Sequence, residues 1–165
     1  MIEIDPKLAA AFENQIAVEL GNAIAYLSAY SALRALGWEG FSKKMKNEAF
    51  DEFGHAQNFT KYLARRGMAW EAKEIVAPEA AESNPAALAE LAYNLEAATE
   101  SVMRDLVTAA QDAKDESAVE YVAGKLVEQE KMTKQTWDFS QRVKDAAGEI
   151  GALVILDRQI ENKGW

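Results

Sequence analysis

The chain has 165 residues, of which 27 are acidic and 18 basic, for a formal net charge of −9 at neutral pH. It contains no cysteine and one histidine, which excludes disulfides, thiolate metal sites and cysteine nucleophiles and leaves little room for a Ser-His-Asp set. The acidic balance argues against a nucleic-acid partner, whose footprint is a basic face, and is compatible with the attraction of small cations. A composition that is 49% hydrophobic and 27% charged is that of one globular domain over residues 1–165. The first residues carry no basic segment followed by an apolar core, and no apolar run approaches the ~18 residues of a membrane span. No membrane partner is expected, and the cytoplasm is the expected location.

Asp5-Pro6 opens the first helix, a capping side chain ahead of a proline at the first helical position. Over residues 6–36 the stripe Leu8, Phe12, Gln15, Glu19, Asn22, Tyr26, Tyr30 and Leu33 has the three-and-four spacing of a buried helix face. Gly37-Trp38-Glu39-Gly40 makes a short antiparallel turn. A second helix over 39–66 carries Phe41, Met45, Glu48, Glu52, His55, Phe59 and Tyr62, and ends at Arg65-Arg66-Gly67, cations followed by a left-handed cap. Residues 68–83 form a long connection, able to cross the ~40 Å of a 27-residue helix. Asn84-Pro85 then starts a third helix over 85–111, with Leu88, Ala92, Glu96, Thr99, Met103, Leu106 and Ala110. An acidic turn near Asp112–Glu116 leads into a fourth over 116–145, with Val122, Leu126, Gln129, Thr133, Trp137 and Val143. The expected fold is all-α: a four-helix bundle, about 6–145, with one long crossover between helices two and three. Gly148 and Gly151 interrupt the fourth helix. The run Leu153-Val154-Ile155-Leu156 that follows finds no room in a four-helix core and is expected to contact another subunit.

Each stripe is interrupted near its middle by a polar group. Glu19 lies on the first, Glu52 and His55 on the second, Glu96 on the third and Gln129 on the fourth. Glu52 and His55 form an ExxH pair, which puts both side chains on one helix face within reach of one ion. A buried carboxylate costs several kcal/mol, against a domain stability of ~5–15 kcal/mol, so three together call for cations. Two divalent ions oppose three carboxylates with a residual charge that suits a bound hydroxide, an oxygen-derived bridge or a fourth carboxylate such as Glu130. An oxygen-rich set with one imidazole favours iron or manganese over tetrahedral zinc. Glu48, Asp51, Glu128 and Glu130 flank the set as candidates for an accessory metal site, and Tyr26 lies two turns after Glu19 on the same face.

The segments ENQIAVEL with Tyr26, DEFGHAQNFTKYLARRG, YNLEAATESV, VEQEK and the tail GALVILDRQI resemble the ferritins, particularly the haem-free prokaryotic type, over essentially the whole chain. The resemblance implies that Glu19, Glu52 and His55 hold one iron, that Glu52 bridges to a second held with Glu96, and that Gln129 and Tyr26 stand beside the pair. It implies ferroxidase activity, with dioxygen or peroxide oxidising Fe(II), two irons per subunit, and storage of ferric mineral in a hollow 24-subunit shell. It also implies a short fifth helix over about 149–161. No haem is expected: the second ExxH of the haem-binding relatives is missing, and Phe53 stands where their ligating methionine would fall. Met132 and Lys131 occupy positions where prokaryotic ferritins often carry acids, so a third iron site of their type is not expected, although Asp51, Glu128 and Glu130 could build a modified one. The alternative is a di-iron oxidase or oxygenase that acts on an organic substrate as a small oligomer.

Overall fold

The computed structural model describes residues 4–72, 74–80 and 82–163. Five helices and no strand occur among the described residues: α1 (Pro6–Ala35), α2 (Glu39–Arg65), α3 (Pro85–Asp112), α4 (Glu116–Ala146) and α5 (Ile150–Lys163). The local signals account for their ends. Asp5 accepts from the backbone N–H groups of Lys7 and Leu8, and Asn84 accepts from Ala87. Gly37 and Gly67 take the left-handed conformation after α1 and α2, with φ of 82° and 79°.

α1 pairs chiefly with α2 and α3 with α4, while α1 also packs on α3. This is the bundle that the long crossover permits. The crossover lies against α1, where a Cβ on Gly21 would stand 2.3 Å from the carbonyl oxygen of Val76. Only glycine leaves room for that approach.

The core is divided lengthwise by polar residues. One apolar cluster contains Tyr26, Leu33, Phe41, Met45, Leu88, Phe139 and Val143. The other contains Leu8, Phe12, Phe59, Leu63, Met103, Leu106 and Val122. Between them lie the buried side chains of Gln15, Glu19, Asn22, Glu52, Glu96, Thr99 and Gln129.

Three expectations need correction. Trp137 is exposed, with the Lys134 ammonium over its ring, and Thr136, Phe139 and Ser140 continue the inner face of α4 instead. The stripe steps by three rather than four after Thr133, which turns Trp137 outward. The apolar tail is not left wholly without a core. Gly151 lies inside α5, and Leu153 and Ile160 join the first cluster, while Ile150 and Ile155 remain exposed. Finally, α1 contains an 18-residue window of mean hydropathy 1.2, long and apolar enough by length and composition to cross a bilayer. Here it is a bundle helix whose buried Gln15 and Asn22 bond to Glu19 and Thr99.

At the start of α4, Asp115 is engaged within the subunit. Its carboxylate accepts from Ala118 N–H as the α4 cap and pairs with Arg66 at 2.7 Å. The Arg66 guanidinium holds the Asp115 carboxyl below its ordinary range. Asp115→Ala therefore lowers stability by about 2 kcal/mol at neutral pH, from the lost cap and a largely shielded ion pair. A carboxyl with a depressed folded pKa stabilises above its unfolded value and ceases to as pH falls through its folded value. The gap in thermal midpoint between variant and wild type thus narrows on acidification below the usual Asp range.

Candidate metal centre

Antiparallel packing brings the mid-helix polar residues to one level. Glu19 comes from α1, Glu52 and His55 from α2, and each offers a ligand atom within 4.8 Å of the others. The His55 Nδ1 atom lies 3.8 Å from Glu19 Oε2 and 3.6 Å from Glu52 Oε2. Both carboxylates are buried, whereas a quarter of the His55 side chain is exposed.

The hydrogen bonds are informative by what they leave out. Gln15 Nε2 donates to Glu19 Oε1 at 2.7 Å, but Glu19 Oε2, both Glu52 oxygens and His55 Nδ1 are buried with no partner. An unpaired buried polar atom costs about 1–3 kcal/mol, more when charged. Four that converge on one space have the chemistry of a cation site: oxygen donors, one imidazole and unused lone pairs. Those four atoms fit iron.

Glu96, on α3, is held differently. The Tyr26 hydroxyl donates to its Oε1 and Gln129 Nε2 to its Oε2, each at 2.7 Å. Thr133 donates to the Glu96 and Gln129 carbonyl oxygens and fixes the local backbone. A carboxylate has about four acceptor positions, so two bonds leave Glu96 lone pairs for a metal. The Leu95 side chain is buried beside it, so both residues of this pair face inward.

Burial pushes the Glu52 carboxyl well above its ordinary range, reinforced by Glu19 and then by Glu96. Glu96 is also raised by burial, and the bonds from Tyr26 and Gln129 pull it the other way. The Tyr26 hydroxyl is raised well above the usual phenol value by burial and then by the negative charge of Glu96, Glu48 and Glu52. Tyr26 is thus a fixed donor in this state.

The accessory candidates separate. Glu48 is tied to Lys44 at 2.6 Å and, with Asp51, lines a cavity of about 270 Å³ that reaches His55 and Met132. Glu128 bonds Lys125 and lines a space of about 10 Å³ beside His55 and Gln129. Glu130 is half-exposed and paired with Arg104, which also holds Glu100. It brings no atom into the Glu19–Glu52–His55 group. Gln15 and Thr133 are site residues that the stripes contained without a role. The four-residue spacing of Gln15 and Glu19 was the available signal for the first.

Comparison with known proteins follows the same lines. The family model for the ferritin-like domain matches residues 9–145. A bacterial non-heme ferritin of Bacteroides fragilis is 26% identical over 157 residues, covering 95% of this chain and 98% of that protein. Among solved structures, an open-pore ferritin of the hyperthermophilic archaeon Archaeoglobus fulgidus superposes with a TM-score of 0.91 at 24% identity, covering 98% of this chain and 99% of that one. A mutant of the Archaeoglobus fulgidus ferritin engineered to a closed form gives a TM-score of 0.90 at 24% identity, covering 98% of both chains. At that identity the structural likeness concerns the fold.

Proposed function

Since the chain belongs to the ferritin-like family, as the match over most of its length shows, we propose that it is a haem-free iron-storage ferritin with its own ferroxidase centre. Fe(II) is the substrate, taken two per subunit by Glu19, Glu52, His55 and Glu96. The observation that carries this reading is the convergence of four buried, unpartnered ligand atoms from Glu19, Glu52 and His55.

Each residue has a part. Glu52, with both oxygens unengaged, is free to bridge two ions. Gln15 holds one Glu19 oxygen and leaves the other for metal. Tyr26 and Gln129 orient Glu96. Burial raises the Glu52 carboxyl and so favours its protonated form, with which a cation competes, so uptake strengthens as pH rises. Two Fe(II) ions give one electron each, and the pair reduces dioxygen to peroxide or peroxide to water. His55, at the partly open edge of the site, stands where ions enter and leave.

An oxygenase needs an apolar pocket of ~300 Å³ or more for its organic substrate. The spaces described beside His55 do not supply one: the first holds about 10 Å³, and the other is lined by Lys44, Glu48 and Asp51. The storage reading also extends to a closed shell, supported by the apolar residues Ile150 and Ile155 that α5 leaves exposed.

Size-exclusion of the apo-protein, with aerobic Fe(II) titration across the peak, tests shell and chemistry together. The expected result is a particle of about 440 kDa, twenty-four copies of the 18.2 kDa chain, that oxidises Fe(II) rapidly up to two per subunit. A dimer active on an organic substrate would establish the oxygenase instead.

A further inference from the structure

About two turns before Glu52, the site has a neighbour that the proposed reaction does not use. Lys44 is among the buried residues, with its side chain 9% exposed, and its ammonium lies 2.6 Å from Glu48 Oε1. The same ammonium stands 5.0 Å from the centre of the Phe139 ring. A charged lysine is almost never buried unless paired, and this one has both a carboxylate and an aromatic face to hold it.

The position of the pair gives it a consequence. Lys44 and Glu48 line the cavity of about 270 Å³ that also touches Asp51, His55, Met132 and Thr136. His55 Nδ1, a proposed ligand atom, is unpartnered. Asp51 is exposed, and Thr136 spends its hydroxyl on the backbone of Met132. Without Lys44 the cavity would present two carboxylates beside the metal centre, with no positive charge among them. With it, a single monovalent cation is already in place, fixed to the chain.

We propose that Lys44 is a positioning residue that acts as a tethered cation: its ammonium occupies Glu48 and closes the adjoining cavity to a further divalent ion, so that the centre takes two ions and not three. This rests on the reading of Glu19, Glu52, His55 and Glu96 as a two-ion site. Lys44 keeps Glu48 from becoming a ligand and keeps charge balance at the centre independent of the cavity.

Zinc, which undergoes no redox change, separates binding from oxidation. Apo-protein is titrated anaerobically with Zn(II), and tightly bound zinc per chain is counted after gel filtration. Wild type is expected to retain two ions, as is Lys44→Arg, which preserves the charge. Lys44→Gln and Lys44→Met, the second of which refills the space over Phe139, are expected to retain three. Lys44→Gln combined with Glu48→Gln returns to two. Glu48→Gln alone leaves the ammonium without its counter-charge beside the centre and weakens zinc binding by about tenfold. Two ions in both neutral Lys44 variants, three in the double variant, or unchanged affinity in Glu48→Gln would each overturn the proposal. Failure of wild type to hold two ions both of zinc and, in a parallel anaerobic titration, of Fe(II) would overturn the metal centre itself, a separate result.

Discussion

Replacement of Glu52 by alanine is expected to slow the initial aerobic oxidation of Fe(II) by at least ~100-fold, beyond the 10–100-fold that loss of a supporting group around a metal produces. The reason is geometric. Glu52 is the one residue of the cluster with both carboxylate oxygens buried and unengaged, so no neighbour can take over a bridge between two ions. The particle should still elute at its wild-type volume, and stopped-flow absorbance of the ferric product reads the rate. An unchanged initial rate would remove Glu52 from the centre.

The same residue makes a second, opposite contribution in the metal-free protein. Its folded carboxyl holds a proton to higher pH than the unfolded chain does. Such a group stabilises the fold below its unfolded pKa, and that stability is lost as pH rises through the folded value. Each unit of elevation corresponds to about 1.4 kcal/mol. The apo-protein should therefore melt at lower temperature as pH is raised from ~4.5 toward neutrality, and Glu52→Gln should flatten that decline. Part of the slope remains, because Glu96 is raised in the same direction. Saturating metal should remove the decline in the wild type by taking the place of the proton.

The second large effect lies at the far end of the chain. The N-cap of α2 is Trp38, which offers no side-chain hydrogen bond. The missing acceptor arrives from α5, where Asp157 Oδ1 takes the Phe41 N–H at 2.8 Å. The two helices approach so closely that a Cβ on Gly40 would lie 1.9 Å from the Asp157 carbonyl oxygen. Gly40→Ala cannot be accommodated without displacing α5, and with it the buried Leu153 and Ile160, each contributing about 1.5–3 kcal/mol of burial. Asp157→Ala leaves Phe41 N–H without its acceptor in a buried position, whereas Asp157→Asn keeps a carbonyl oxygen there. Both Gly40→Ala and Asp157→Ala should become sensitive to proteolysis near Gly148 and lose the high-mass particle, with Asp157→Asn close to wild type. A full-size, protease-resistant particle from Gly40→Ala would show that α5 is not held by this contact.

What was legible in the sequence was whatever repeats along the chain. Helix ends follow from Asp5-Pro6, Asn84-Pro85 and the glycines after α1 and α2, each a signal contained in a few neighbouring residues. The central polar residues stood out because Glu19, Glu52, Glu96 and Gln129 interrupt apolar stripes at helical spacing, and the structure places them at one level. Less was legible wherever a partner is remote. The bond between Phe41 and Asp157 joins residues 116 apart, and no periodicity announces it. The same holds for Glu130: its position beside Gln129 suggested the metal site, but Arg104 on the neighbouring helix draws it to the surface. Lys44 reads as an ordinary solvated lysine until the structure puts Glu48 and Phe139 beside it. Trp137 was misplaced because a helical stripe can step by three or four, and packing alone decides which.

The capping of α2 by α5 imposes an order on synthesis. Phe41 leaves the ribosome 116 residues before the carboxylate that satisfies it, an interval of about 6–23 s at ordinary translation rates. Over that interval helices one to four emerge in turn and can begin to pack, yet the start of α2 remains uncapped and the cluster of Phe41 and Met45 lacks Leu153 and Ile160. A segment translated long after α2 thus completes that helix, and a chain arrested before Asp157 carries an open seam at the end where α5 docks.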